Sequence, residues 1–345
     1  MRNAVELLRV EAARLLRGAT CPDTRRFLVA TTWLPILDDR TIYERKEPRG
    51  FISARAFAAL PEGERGAYQP IVMDSYDFYY TRYGSPQANV RWIELLCQEA
   101  SKHEGHAGVL ESGKAPPSVY RGRKLVDFGF GSYGHLRNLA LVGAHVTGIE
   151  VDPRLEALYS EAEDVGVVEP ASLPGDQAKE AGSLTLAFGR WPGDASMRER
   201  VGKGYDFFVS KNTLKKGYVT PEREVDKRML IDLGVTPEEF LGEVARVLRV
   251  GGYFMIYNIC PKQAPEGEPY KPMADGRSPF TREQLEAHGF EVLSFDQDDT
   301  AAARVMGKAL SWDSGNNPMD LENDLFAMYT LARQRGEPAT EPASR

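Results

Sequence analysis

LVDFGFGSYGHLRNLALVGAHVTGIEVD, residues Leu125 to Asp152, changes its hydrophobic rhythm twice. A mostly apolar run from Leu125 to Phe128 enters a loop carrying Gly129, Gly131 and Gly134. Helical spacing follows through Leu136, Leu139 and Ala140, and Gly143 stands where a helix-ending glycine belongs. A second β-prone run, Val146 to Val151, carries Glu150 near its end. Strand, glycine loop, helix, strand is the β-α-β unit that holds a nucleotide-like ligand at the carboxyl edge of a parallel sheet. The glycines let backbone approach such a ligand, and an acid ending the second strand can accept hydrogen bonds from ribose hydroxyls.

The identity of that ligand turns on one residue. Gly129-x-Gly131-x-x-Gly134 fits the dinucleotide fingerprint, and Glu150 lies 21 residues after the first glycine, as a nicotinamide cofactor would want. Asp127 stands two positions before that glycine. A carboxylate there would repel a pyrophosphate, whereas S-adenosylmethionine has no phosphate and carries a cationic amino group that an Asp can bind.

Other segments extend the pattern. VTGIEVDP ends the second strand, GDA (Gly193 to Ala195) follows a third candidate strand at Leu184 to Phe188, and EEFLGEVARVLRVGGYFMI (Glu238 to Ile256) runs from helix to strand. With VDFGFGSYG (Val126 to Gly134), these motifs cover roughly three-fifths of the chain, Lys124 to Arg333, and resemble class I S-adenosylmethionine-dependent methyltransferases. The resemblance implies S-adenosylmethionine as cofactor. Asp127 and the loop of Gly129, Gly131 and Gly134 would hold its methionine end, Glu150 its ribose and Asp194 its adenine amino group. The chain departs from the pattern in three places: the third glycine comes one position late, Phe130 replaces a small residue, and GRWPGDASM is longer than the usual turn.

The expected fold class is therefore α/β: a Rossmann-like seven-stranded sheet closed by an antiparallel hairpin, preceded by a mainly helical N-terminal region. Residues 1–118 form that region or a lid, 119–335 the cofactor-binding domain, and 336–345 a disordered tail. Val5, Leu8, Ala12, Leu15 and Leu16 predict an N-terminal helix, and Val90, Ile93, Leu95 and Leu96 another. KHEGHAGVLESGKAPPS, from Lys102, reads as a linker. Tyr205 to Ser210 and Tyr253 to Ile259 predict the fourth and fifth strands. Thr236-Pro237-Glu238-Glu239 starts the helix between them, which stops at Gly251-Gly252. FEVLSF (Phe290 to Phe295) and LFAMYTLA (Leu325 to Ala332) are the closing strands.

Composition excludes some classes. Hydrophobic residues at 42% and charged residues at 27% are ordinary for a soluble globular chain. A net charge of −7 disfavours a nucleic-acid partner, whose binding face is usually basic. No run approaches the ~20 apolar residues that span a bilayer, and Glu6 and Glu11 disfavour a transit peptide. The three cysteines Cys21, Cys97 and Cys260 are widely spaced in sequence, which argues for neither a disulfide framework nor a metal site and suits the cytoplasm.

Acceptor chemistry is sought in the loops after the fourth and fifth strands, which face the reacting methyl in this fold. Lys211, Asn212 and Tyr257 are the candidate catalytic residues there, with His135 after the glycine loop. Asn258 and the tyrosines Tyr76, Tyr79, Tyr80 and Tyr83 are candidates for the substrate side. YDFYYTRY (Tyr76 to Tyr83) places five aromatics in eight positions, which serves either a domain interface or a lid over a cationic ligand. SKNT, Ser210 to Thr213, lacks the Pro-Pro-aromatic tetrapeptide of amino-methyltransferases acting on DNA bases, so a small-molecule acceptor is expected.

Several residues keep a plainer rival role. Asp127 also suits a loop or N-cap, Asp152 competes with Glu150, Asp194 suits a turn, and His135 a surface or helix-terminal position. Asp206 reads as structural, and Asp296, Asp298 and Asp299 as a solvated turn; no metal is expected. The rival functions are a nicotinamide-dependent oxidoreductase using the glycine spacing and a non-catalytic binding protein of cofactor fold.

Overall fold

A computed structural model describes residues 4–34, 38–74, 86–103, 118–169, 180–309, 311–314 and 318–336 of the 345-residue chain. Among them are two sheets. Strands β1 (Arg40–Lys46), β2 (Arg49–Ser53) and β3 (Tyr68–Met73) form an antiparallel sheet in the order β2-β1-β3. The larger sheet is built from β4 (Lys124–Phe128), β5 (His145–Glu150), β6 (Gly166–Val168), β7 (Gly182–Phe188), β8 (Tyr205–Lys211), β9 (Leu248–Cys260), β10 (Phe290–Asp298) and β11 (Phe326–Gln334). Its order is β10-β11-β9-β8-β4-β5-β7-β6. β4 and β9 flank β8 in parallel and β5 runs parallel to β7, while β11 lies antiparallel to both β9 and β10. The eighth strand, unforeseen in the sequence, is β6, three residues antiparallel on β7.

The chain clusters into two compact units, Met1–Arg123 with Phe130–Gly189, and Lys124–Gly129 with Arg190–Arg345. In the first, α1 (Ala4–Leu16) buries Val5, Leu8 and Ala12, the stripe its spacing predicts. Helix α2 (Pro22–Thr32) begins with proline at its first position, where the missing N–H costs nothing. Helix α3 (Pro86–His103) buries Trp92, Ile93 and Leu96, and the Tyr120 hydroxyl donates to Ile93 O at 2.8 Å. Helix α4 (Gly134–Leu141) ends ahead of Gly143, which takes φ +102°. Asp152 caps α5 (Pro153–Leu158) by accepting from Arg154 N at 2.8 Å.

The N-terminal region, expected to be mainly helical, also contains the β1–β3 sheet. That sheet has little apolar alternation to read: β1 is RTIYERK, with only Ile42 fully buried. Its other supports come from side chains near and far in sequence. Tyr43 stacks on Phe57 with centroids 3.6 Å apart. Arg40 forms a bidentate pair with the fully buried Asp164, at 2.7 and 2.8 Å.

In the second unit, Phe128, Trp191, Phe208 and Phe240 form an aromatic core, with Phe128 and Phe240 centroids 5.1 Å apart. Helix α6 (Ala195–Val201) precedes β8, and α7 (Pro237–Val247) precedes β9. Thr236 starts α7 with a capping box: its Oγ1 accepts from Glu239 N at 3.2 Å, and Glu239 Oε2 accepts from Thr236 N at 2.9 Å. Such a cap contributes about 1 kcal/mol, while each buried Phe240, Leu241, Val244 or Val247 side chain contributes roughly 1.5–3 kcal/mol. The helix ends at Val247, earlier than its sequence suggests. Gly251 and Gly252 lie inside β9, where a side chain on Gly252 would stand 2.9 Å from the Tyr205 carbonyl. Helix α8 (Arg282–Ala287) precedes β10, and α9 (Thr300–Ala309) fills part of the connection to β11.

Candidate functional site

The carboxyl ends of β4, β5, β7, β8 and β9 carry the chemical side chains. Asp127, 2% exposed, sits one residue from the end of β4 opposite Val209. Gly129 follows with φ +72°, a conformation that favours glycine, and a Cβ there would lie 2.2 Å from Thr213 Oγ1. That hydroxyl donates to Gly129 O at 3.1 Å, so the turn is locked from β8's side of the same unit. Ser210 adds a second tie, donating from Oγ to Phe128 O at 3.2 Å.

Lys211 ends β8 and is 8% exposed. Burial pushes its ammonium down to about 8, with the Asp127 charge acting in the opposite direction. Asn212 follows in the left-handed region at φ 63°. Its N–H donates to Tyr257 O at 3.0 Å, and its Oδ1 accepts from Ile259 N at 2.7 Å. Its buried Nδ2 has no partner within the described residues. A strained, buried amide with an idle donor is the kind of group a ligand satisfies.

Two other candidates are committed elsewhere. The buried Tyr257 hydroxyl donates to Asp299 Oδ2 at 2.9 Å. Asn258 is fully buried and its Nδ2 donates to Leu214 O at 2.9 Å and Gly276 O at 2.8 Å, fastening two loops. Asp194 precedes α6 and closes a turn: its Oδ2 accepts from Arg190 N at 3.2 Å and its N–H donates to Arg190 O at 2.8 Å. Trp191, which sequence reading passed over, is buried among aromatic rings with its indole N–H unpartnered among the described residues. Its signal was a large aromatic three residues after the end of β7.

In the first unit, Gly131 takes φ +66°, and nothing lies within 4 Å of where its Cβ would be. This open backbone is what close approach of a ligand requires. Gly131 N donates to Glu150 Oε2 at 3.1 Å, and Glu150 Oε1 accepts from Val151 N at 2.8 Å. Oε1 also accepts from Asp152 N at 3.4 Å, so Oε2 is the oxygen that keeps a second lone pair. Burial pushes the Glu150 carboxyl up, and these backbone donors pull it back. Asp152 spends its side chain on the cap of α5. Gly134 begins α4, and His135 beside it is buried, so the surface role does not apply to it.

Asp206 is structural, accepting from Lys124 N at 2.9 Å and from Arg249 Nε at 2.5 Å. Asp296, Asp298 and Asp299 diverge to Ser278 N, Thr300 N and the Tyr257 hydroxyl, and no metal-binding cluster occurs among the described residues. Nor is any helix among them long and apolar enough to cross a membrane. Tyr76, Tyr79, Tyr80 and Tyr83, the linker from residue 104, and the tail beyond residue 336 lie outside the described residues.

The strand order, with antiparallel β11 set between β9 and β10, is that of the Rossmann-like class I methyltransferase fold. No protein-family model matches the sequence, and no curated protein matches it. Solved structures do align. A Galdieria sulphuraria protein provisionally assigned as a sarcosine dimethylglycine methyltransferase is 16% identical, with 72% of this chain and 87% of that one covered and a TM-score of 0.39. The [4+2]-cyclase SpnF is 15% identical over 75% and 86% of the chains, TM-score 0.38. A geranyl diphosphate methyltransferase, solved with GPP and sinefungin, is 13% identical over 73% and 80%, TM-score 0.38. Similarity at this level does not bear on activity, and the fold assignment rests on the strand order.

Proposed function

We propose that the chain binds S-adenosylmethionine and transfers its methyl group to a small-molecule acceptor. The observation that carries the reading is the buried carboxylate of Asp127 ahead of a positive-φ glycine turn. A carboxylate there suits a cationic amino group and opposes a pyrophosphate. On this reading Asp127 takes the methionine amino group, the Gly129–Gly134 loop provides open backbone, Glu150 takes the ribose hydroxyls and Asp194 the adenine amino group. Glu150 fits its role because its Oε2 retains a lone pair beyond the bond from Gly131 N.

Bound S-adenosylmethionine supplies an electrophilic methyl group. The chain's part is to orient the acceptor in line, exclude water and, where the acceptor carries a proton, remove it. Lys211 suits that last task, because an amine held near 8 is partly neutral at ordinary pH and can accept a proton. The idle Nδ2 of Asn212 suits a hydrogen bond to the acceptor. Tyr257 and His135 remain candidates of smaller scope, Tyr257 with its hydroxyl already given to Asp299. Asn258 acts on this reading by holding the loops that line the acceptor side.

Calorimetry with S-adenosylhomocysteine and with NAD tests the reading. Binding of the former and not the latter is expected. In Asp127→Ala the S-adenosylhomocysteine affinity should fall by roughly 10- to 150-fold, the equivalent of about 1.5–3 kcal/mol for a charge-assisted hydrogen bond. Unchanged affinity in a folded Asp127→Ala protein, or binding of NAD alone, would overturn it.

A further inference from the structure

Cys21 and Cys97 are 76 positions apart in sequence, yet their sulfurs lie 3.3 Å from each other. Both are free thiols. Cys21 stands at the N-cap of α2, half-exposed, on the positive end of an 11-residue helix. Cys97 lies on α3, buried, and its thiol donates to Asp23 Oδ2 at 3.3 Å. Asp23 is buried as well, and is held by Arg26 Nη1 at 3.0 Å and Val119 N at 3.0 Å.

We propose that Cys21 and Cys97 form a peroxide-responsive dithiol that closes to an intramolecular disulfide joining α2 to α3. The two cysteines divide the labour. Cys21 is the attacking sulfur: it is the one open to solvent, and the helix N-terminus favours its anion. The Cys97 S–H, turned from Asp23 to the neighbouring Cys21 sulfur, would donate to its thiolate, which draws the Cys21 thiol down to about 6, with burial opposing and the Thr24 N–H assisting. Cys97 is the resolving sulfur. Its thiol is pushed up by the hydrogen bond with Cys21, by burial and by the neighbouring Asp23 charge, so it keeps its proton until the attack.

The chemistry balances with a hydroperoxide as oxidant. The Cys21 thiolate attacks one peroxide oxygen, the O–O bond breaks, and a sulfenic acid forms with release of hydroxide or alkoxide, which is protonated from solvent. The Cys97 sulfur then attacks the sulfenic sulfur, the S–O bond breaks, and water leaves with the Cys97 proton. Two thiols and one peroxide O–O bond become one disulfide and two molecules of water, or of water and alcohol. The sulfurs must close from 3.3 Å to about 2.05 Å, a movement within reach of side-chain rotation. Oxidation also removes the S–H donor to Asp23, leaving that carboxylate to Arg26 and Val119 N.

The full chain carrying Cys260→Ser isolates the pair. On stoichiometric hydrogen peroxide its intact mass should drop by two hydrogens, a non-reducing digest should yield a peptide linking Cys21 to Cys97, and dithiothreitol should reverse both. Before oxidation, iodoacetamide at neutral pH should alkylate Cys21 about tenfold faster than Cys97, or more. Adding Cys97→Ser should leave Cys21 as a dimedone-trapped sulfenic acid. Two alkylatable thiols surviving peroxide, disulfide-linked dimers without the internal link, or a dimedone adduct on Cys97 would each overturn the proposal. The first readouts use the native pair, so they do not depend on whether the Cys97→Ser protein folds.

Discussion

Lys211, which ends β8, and Lys215, in the turn beyond it, are both buried, and burial pushes both ammonium groups down to about 8. Their surroundings differ. Lys215 Nζ donates to Ile259 O at 2.7 Å and Met273 O at 3.2 Å and lies 5.6 Å from the Tyr218 ring centroid. It is a clamp, spending its donors on backbone carbonyls of two other segments. Lys211 instead feels the charge of Asp127, the residue proposed to receive a ligand's amino group. A displaced pKa therefore reports burial, and the partners decide what the group is for.

The sharpest break of that comparison comes from removing each charge. Lys211→Met should lower turnover about 100-fold or more, the usual contribution of a positioned base, while S-adenosylhomocysteine still binds. Lys215→Met should instead strip a partner from two carbonyls and cost about 2–4 kcal/mol of stability. Its turnover per folded molecule should stay within about threefold. Steady-state kinetics with urea unfolding checks both. Equal losses of turnover per folded molecule would erase the distinction.

A smaller effect is set by pH. If the neutral Lys211 amine accepts the proton, kcat/KM should rise with pH and level off above about 8, and this rise should vanish in Lys211→Met. Stability follows the same sign for both lysines. Each folded value, about 8, lies below the unfolded value of about 10.4, so the unfolded chain binds more protons between them. The destabilisation from burying each charge is complete below about 8 and is relieved as pH rises towards 10.4. Urea midpoints of wild type and of each methionine variant at pH 8 and 10 should show one proton's worth of that dependence disappear per substitution.

The smallest contrast sets Glu150 against Asp152, acids two residues apart, the first proposed to meet the ligand and the second capping α5. Glu150→Gln should weaken S-adenosylhomocysteine binding by roughly 1 kcal/mol, about fivefold. Asp152→Asn keeps a capping oxygen and should change neither affinity nor stability by more than a few tenths of a kcal/mol. Calorimetry on the two variants checks the ranking, and the reverse order would reassign the acid.

What could be read in advance follows the range of the interactions involved. The β4–α4–β5 unit was legible because its strand runs are fully buried and its glycines occupy backbone conformations that side chains resist. The start of α7 was legible because a capping box is a contact across three residues. The β1–β3 sheet was not: RTIYERK buries one side chain outright, so period-two alternation never rises above its charges. The end of α7 was misplaced because Gly251 and Gly252 read as a helix stop. In β9, Gly252 is needed for close approach to the Tyr205 carbonyl, a neighbour from another strand.

By itself the sequence determined the alternation of strand and helix and the glycine loop, and it singled out Asp127 and Glu150 as the acids proposed to meet a ligand. Those features are written in local periodicity and backbone stereochemistry, and they survive without knowledge of neighbours. Only the tertiary structure decided which polar groups are already spent. Tyr257, Asn258 and Lys215 look available in sequence, yet folding gives them to Asp299, to loop carbonyls and to Ile259 and Met273. The approach of Cys21 to Cys97 is of the same kind, brought about by the packing of α2 and α3. A hydrogen bond or sulfur contact between distant positions has no periodicity. It exists once burial has removed the water that would otherwise satisfy each group separately.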